Sequence, residues 1–206
     1  MTVYTGTVGN DSLSGGATAD SLSGLAGNDT LVGGSGADSI DGGDGDDLIY
    51  AGASGGAMDT GADIDTLVGG AGSDVIYAGY GDFADGGANG PVGDFLYLSL
   101  AGAGSGVTAT VSMATSVVGG GTISNFEYIA RVDGSAFADS INVGQTNNFG
   151  YAVNGGAGDD TLVAGYNAAV LHGDDGNDVI DVRGAVGSGS VYGDAGNDIL
   201  YTNEGG

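Results

Sequence analysis

Residues 42–50 read GGDGDDLIY and set Asp44, Asp46 and Asp47 within four positions of one another. Unit charges about 4 Å apart repel by about 4 kcal/mol at an effective dielectric near 20, so such a cluster calls for a cation. The carboxylates recur on a beat. Asp11, Asp20, Asp29, Asp38 and Asp47 are nine residues apart, the next beat falls on Gly56, and the rhythm resumes at Asp65 and Asp74. Two residues after each beat stands an apolar side chain: Leu13, Leu22, Leu31, Ile40, Ile49, Met58, Leu67 and Ile76. Glycines lead each unit, as in GGSGADSID. Asp and Gly also form turns without metal, but rows of Asp in register need their repulsion compensated.

Three residue classes held in register over some seventy positions define a repeat protein. Each unit supplies a glycine-rich turn, whose positive backbone angles disfavour a Cβ, and about three extended residues. So short a strand cannot bury its single Leu or Ile alone, and stacked coils are needed to gather these side chains into one column. With two units per coil, turns nine apart lie on opposite edges and turns eighteen apart are stacked neighbours. The fold class that follows is all-β: a parallel β-roll, or right-handed β-solenoid.

Composition narrows the function. The 206 residues include 47 glycines, 27 acidic residues and only two basic ones, Arg131 and Arg183, for a formal net charge of −25. That balance excludes a phosphate-binding surface, because nucleic-acid affinity rests on Lys and Arg, and an anionic membrane would repel the chain. No membrane insertion is expected, since the uncharged stretch from Phe95 to Phe126 is broken by Gly, Ser and Thr. With no cysteine there are neither disulfides nor thiolate sites. The opening MTVYTGTVGND has no basic n-region or apolar h-region.

The rhythm divides the chain into residues 1–97, a first array that becomes irregular after 78; 98–133, a repeat-poor β segment without turn carboxylates; and 134–206, a second array. In the first, AGASGGAMDTGA (51–62) keeps the spacing but loses the Asp. In the second, GVTATVSMATSVV alternates like a strand, with Val107, Ala109, Val111 and Met113 on one face. The repeat returns at GSAFADSIN with Asp139, then GGAGDDTLV, GDDGNDVID and GDAGNDILY. Asp160 and Asp178 are eighteen apart and Asp178 and Asp198 twenty, while the beats near Ala169 and Gly189 carry no carboxylate. One edge of the second half therefore keeps an acidic row and the other has lost it.

Stacked turns bring many hard oxygen ligands together, which suits Ca²⁺ with its 6–8 oxygens better than Mg²⁺ with its strict octahedron. Zinc and copper lack the thiolates and histidines they prefer. The units GGSGADSID, GGDGDDLIY, GGAGSDVIY and GGAGDDTLV resemble at every defined position the G-G-x-G-x-D-x-U-x nonapeptides of repeats-in-toxin (RTX), or haemolysin-type, calcium-binding proteins. GNDSLS, GGATADSLS, GLAGNDTLV, GDDGNDVID and GDAGNDILY match with small departures, and the resemblance covers roughly residues 9 to 77 and 134 to 201. It implies several Ca²⁺ ions held by Asp carboxylates and turn carbonyls. On the matching positions these are Asp11, Asp20, Asp29, Asp38, Asp47, Asp65, Asp74, Asp139, Asp160, Asp178 and Asp198, with Gly24, Gly27, Gly33, Gly34, Gly36, Gly42, Gly43, Gly45, Gly155, Gly156, Gly158, Gly173 and Gly176. Asp59, Asp63, Asp82, Asp85 and Asp94 lie where the pattern breaks and receive no role.

Elsewhere, GASGG formally matches the G-x-S-x-G of hydrolases around Ser54, without the strand-turn-helix context or a nearby histidine. His172 is read as an outward surface residue, and the glycosylation patterns at Asn10 and Asn28 as products of the repeat. Tyr50, Tyr77, Tyr97, Tyr192 and Tyr201 each follow an inward residue, so alternation points them outward. They read equally as a contact surface or as ordinary strand residues. The expectation is a secreted, extracellular or cell-surface Ca²⁺-binding β-roll, not an enzyme, that folds on binding and has a structural, surface-layer, filament or adhesive role. Expected partners are other copies joined head to tail, or a glycan or cell surface. The alternatives are the C-terminal domain of a secreted protease or lipase and a glycan-binding adhesin module. The resemblance implies type I secretion, whose C-terminal signal is not seen in the closing ILYTNEGG, which leaves open a piece of a longer protein or a different route of export.

Overall fold

The computed structural model describes residues 1–53, 58–112, 115–144, 151–165, 168–185 and 189–202. Among these there are strands and turns and no helix. The strands form three sheets. Sheet one stacks Val3–Thr5, Ser21–Ala26, Ser39–Asp44, Thr66–Gly72, Phe83–Asn89, Gly121–Ser124 and Ser116–Val118. Sheet two runs through both halves, from Ser12–Ser14, Thr30–Val32, Leu48–Tyr50, Val75–Ala78 and Phe95–Ser99 to Tyr128–Asp133, Tyr151–Asn154, Ala168–His172 and Ser190–Tyr192. Sheet three holds Thr108–Val111, Ser140–Val143, Thr161–Ala164, Val179–Asp181 and Ile199–Tyr201. Successive neighbours pair in parallel, as a β-roll requires. The exception is the hairpin Ser116–Val118 with Gly121–Ser124, which turns through Gly119 and Gly120 at φ 64° and 94°.

The apolar beat becomes the core. Leu22, Ile40, Leu67, Ala84 and Ile123 stand in one register column, and Leu31, Ile49, Ile76, Leu96 and Ile129 in a second. Ala109, Ile141, Leu162 and Ile180 make the third. All are buried. Most strands thus contribute one or two side chains to a continuous apolar interior. Val107, Ala109 and Val111 are buried as the alternation implied, while Met113 lies outside the described residues.

One expectation needs correction. The beat at Gly56 and Met58 is not a coil of its own. Ser39 pairs directly with Thr66 and Leu48 with Val75, so this coil has 27 residues in place of 18. Met58 is half-buried, absent from the core columns, and the segment around it is an insertion at a turn. Ser54 and Gly56 lie outside the described residues.

The tyrosines also differ in part from expectation. Tyr50, Tyr77 and Tyr97 stack ring on ring, with centroids 4.7 and 4.4 Å apart. Tyr50 is buried and Tyr77 and Tyr97 are half-buried, so the rings follow inward residues as expected but cover one another in a stack that leaves only part of each open. Tyr192 and Tyr201 are exposed, and Tyr201 lies under the Arg183 guanidinium at 4.5 Å.

Most turn residues with positive φ are glycines, but Leu25 holds φ 80° at the place where Gly34 and Gly43 hold φ 108° and 106°. For an L-residue with a Cβ that region costs about 1–2 kcal/mol, and the Leu25 side chain is 46% exposed, so little burial offsets it. Leu25→Gly is therefore expected to stabilise the folded protein by about 1 kcal/mol, read as a higher urea midpoint in calcium-containing buffer. A lower midpoint would show that the exposed side chain contributes more through packing than its backbone costs.

Candidate metal centre

The Asp residues sit at the last turn position before each strand. At passages from sheet one to sheet two they form a ladder through their own backbone. The N–H of Asp11 donates to Oδ1 of Asp29 (2.7 Å), Asp29 to Asp47 (2.8 Å), Asp47 to Asp74 (2.8 Å) and Asp74 to Asp94 (2.8 Å). Asp94 in turn donates to Oε2 of Glu127 (3.0 Å). The opposite edge repeats this through Thr2, Asp20, Asp38, Asp65 and Asp82 at 2.7–2.9 Å. In the second half, passages from sheet two to sheet three carry Val107, Asp139, Asp160, Asp178 and Asp198 at 2.6–3.0 Å. The returning passages there hold no acidic residue, as the spacing implied.

One oxygen of each carboxylate thus closes a hydrogen bond between coils. The other oxygen divides all of these Asp residues but Asp65 and Asp198 into two kinds. Oδ2 of Asp29, Asp38, Asp47, Asp74, Asp94, Asp160 and Asp178 is buried with no hydrogen-bond partner. Oδ2 of Asp11, Asp20, Asp82 and Asp139 instead accepts a nearby backbone N–H, from Thr7, Gly16, Gly79 and Ser135. Leaving one buried polar group unpaired costs about 1–3 kcal/mol, and more when it is charged. The first kind therefore requires a cation or a proton, and in the second the local N–H meets part of that need.

Each unpaired oxygen faces the first glycine of its turn. A Cβ on Gly33 would lie 2.5 Å from both Oδ2 of Asp38 and the carbonyl oxygen of Ala51 in the next coil. Gly24, Gly42, Gly155 and Gly173 stand likewise against Asp29, Asp47, Asp160 and Asp178, and against the carbonyls of Gly42, Gly69, Gly173 and Gly193. Carboxylate and carbonyl oxygens thus converge where no side chain fits, the hard-oxygen donor set that Ca²⁺ takes. The remaining expected glycines shape the turns. Gly27, Gly34, Gly36, Gly43, Gly45, Gly156 and Gly158 hold positive φ, and a Cβ on Gly176 would meet the Gly158 carbonyl.

Burial raises the carboxyl pKa values, an effect that the Asp–Asp backbone hydrogen bonds only partly offset. Asp65 and Asp74 are pushed up to about 7, and Asp47, Asp82, Asp94 and Asp160 to about 6. Asp38 and Asp178 are raised for the same reason. Nearby carboxylates push in the same direction, row neighbours for Asp47, Asp74 and Asp160, and Asp59 and Asp63 for Asp82.

Three row members were hidden by irregular spacing. Asp82, Asp94 and Glu127 follow their predecessors by 17, 20 and 33 residues. Glu127 lies in the segment expected to have no turn carboxylate. The signal was nonetheless present, since Asp94-Phe95-Leu96 and Glu127-Tyr128-Ile129 keep the acid two positions before an inward apolar residue. Asp59, delivered by the insertion, is buried with Asp65 and Asp82, one carboxylate oxygen of each within 4.8 Å of the others. Asp63 accepts the Gly36 N–H and Asp85 pairs with Asn125, so neither joins a row. A further ladder lies one position earlier and outside: Asn28 N–H to Asn10 Oδ1, Asp46 N–H to Asn28 Oδ1, Ser73 N–H to Asp46 Oδ1. It explains the recurring Asn-Asp and Asp-Asp pairs.

The model of the RTX calcium-binding nonapeptide repeat (4 copies) matches residues 5–40, 23–54, 59–82, 154–184 and 184–206, together more than half of the chain. No curated protein matches the chain. The matched segments contain every Asp of the rows except Asp94 and Asp139, and they leave out Glu127. These repeats bind Ca²⁺, which supplies the charge that the buried Oδ2 atoms need. The chain belongs to the RTX calcium-binding nonapeptide-repeat family.

Proposed function

We propose that the chain is a secreted, non-catalytic scaffold that is unfolded where calcium is scarce and becomes a rigid β-roll outside the cell. The observation that carries this reading is the set of buried, unpaired Oδ2 atoms between stacked glycine turns. Without a counter-ion, folding must bury these charges within a chain of net charge −25. Ca²⁺ bound only by the folded coils then adds stability that grows with its concentration. Extracellular calcium modules are tuned to about 10⁻⁴–10⁻³ M, a level that separates the outside of a cell from its interior. A structural role is supported by the coil-to-coil use of the polar groups, in which carboxylates, Asn side chains and strand backbones all bind the neighbouring coil.

Circular dichroism during a Ca²⁺ titration tests the reading. A cooperative gain of β signal is expected with Ca²⁺ and not with equal Mg²⁺, and a chain fully folded in chelator would overturn it. Asp47→Asn keeps an oxygen for the Asp29 N–H but turns Oδ2 into a donor. The calcium midpoint of this variant should rise by about tenfold, the equivalent of about 1.4 kcal/mol. An unchanged midpoint would remove Asp47 from the ligand set.

The pH dependence has a definite sign. Folded-state values of about 6 to 7 for Asp47, Asp65, Asp74, Asp94 and Asp160 lie above the ordinary 3.8. The ion-free fold therefore binds more protons than the unfolded chain in this window. Its stability is fully present below the ordinary value and is lost as pH rises through 6 to 7. In chelator, β signal should appear on acidification from about pH 8 to about pH 4.5, because protons stand in for calcium. A chain that stays unstructured throughout would contradict this.

A further inference from the structure

The one histidine of the chain stands apart from the calcium rows. His172 ends the strand Ala168–His172, and its Nδ1 meets Oδ2 of Asp194 at 2.7 Å. Asp174 joins them, so that one ligand atom from each of the three residues lies within 4.8 Å of the others. Donors of a tetrahedral Zn²⁺ at about 2.0–2.2 Å stand about 3.4 Å apart, so side-chain rotation closing the set by up to about 1.4 Å lets it share an ion.

Three observations separate this cluster from ordinary surface charge. Asp174 and Asp194 occupy the second position of consecutive turns, where Gly34, Gly43 and Gly156 stand in other coils, and they hold φ 66° and 63°. The last turn position of both coils is already filled by Asp178 and Asp198, so Asp174 and Asp194 are surplus to the calcium rows. A simple His–Asp ion pair would also need only one carboxylate. Here two carboxylates face one imidazole nitrogen, a donor set that a dication satisfies. Arg131, which borders the same cleft, does not supply the positive charge, because it is paired with Asp133 at 2.7 Å.

The ligands are held for the task. His172 stacks on Tyr192 with ring centroids 4.7 Å apart, which fixes the imidazole plane. The Gly156 N–H holds Oδ2 of Asp174 at 3.2 Å and leaves its other oxygen available. Strand pairing His172↔Tyr192 and the Ala195 N–H to Asp174 carbonyl bond (2.9 Å) lock the two coils in register. Arg131, Asp133, Asn154, His172 and Asp174 border a cleft of about 430 Å³ through which an ion and its remaining water ligand can enter.

We propose that His172, Asp174 and Asp194 bind a borderline transition-metal dication of the zinc type, at a site distinct from the calcium rows. The imidazole nitrogen makes the distinction, because it suits zinc and its neighbours while Ca²⁺ prefers oxygen alone. The ion takes the place of the proton shared by Nδ1 and Asp194. Three protein ligands leave a fourth, tetrahedral position for water or an external donor.

The test uses the full chain folded in excess Ca²⁺ and titrated with Zn²⁺ alone, so that the Asp rows are already occupied. Because there is one histidine, a single imidazole C2–H resonance reports the site in the proton NMR spectrum. It should shift and saturate at one Zn²⁺ per chain. Asp174→Gly and Asp194→Gly restore the residue that other coils carry at this position, so their calcium-dependent circular dichroism should be unchanged. Each, like His172→Ala, should weaken zinc binding by more than about tenfold, at least what losing an outer-shell partner costs. An imidazole resonance that never moves would overturn the proposal. So would zinc uptake that is unaffected by all three substitutions, since the ion would then be in the Asp rows.

Discussion

The structure depends on one constraint: along three rows of stacked turns, a carboxylate group has to be placed between each coil and the next. Oδ1 of Asp47 closes a 2.8 Å bond to the N–H of Asp29, while Oδ2 points among glycine carbonyls with no donor in reach. The first oxygen fixes the register of the coils through backbone geometry, and the second creates a need for positive charge. Folding and ion binding are joined at the level of one side chain. A neutral residue would satisfy the first requirement and remove the second.

This division explains what the coils tolerate. Spacings of 17, 18, 20, 21, 27 and 33 residues all deliver an acid to the same place, because extra chain is absorbed between strand and turn while the ladder is preserved. It also explains where calcium is not demanded. Asp11, Asp20 and Asp139 use a local N–H for Oδ2, and they lie at the start of the roll or next to a break in the repeat. The coils between them, with Asp29, Asp38, Asp47 and Asp74, hold unpaired oxygens and depend on the ion.

Much of this was legible in the residues. The nine-residue beat of Asp and the Leu or Ile two places later specify turn, strand, core and stacking together, and sheet register follows the spacing from Leu13 to Ile49. The same beat misled at Gly56 and Met58, since an insertion whose length is a multiple of nine is indistinguishable by period from a coil. Asp82, Asp94 and Glu127 were missed for the converse reason: the spacing broke although the acid-x-apolar signature survived at Asp94 and Glu127. Two features had no signal in the period. Burial of Tyr50 within a ring stack depends on neighbours from other coils. The meeting of His172 with Asp174 and Asp194 depends on a glycine position being used for a carboxylate in two successive turns.

The most direct test of the central claim is amide hydrogen exchange, resolved by residue, in calcium and in chelator at neutral pH. The N–H groups of Asp29, Asp38, Asp47 and Asp160 each donate to the Asp of the next coil. They should be strongly protected with calcium and exchange at unfolded-chain rates without it. Equal protection in chelator would contradict the account, because the buried carboxylates would then be compensated by something other than the ion.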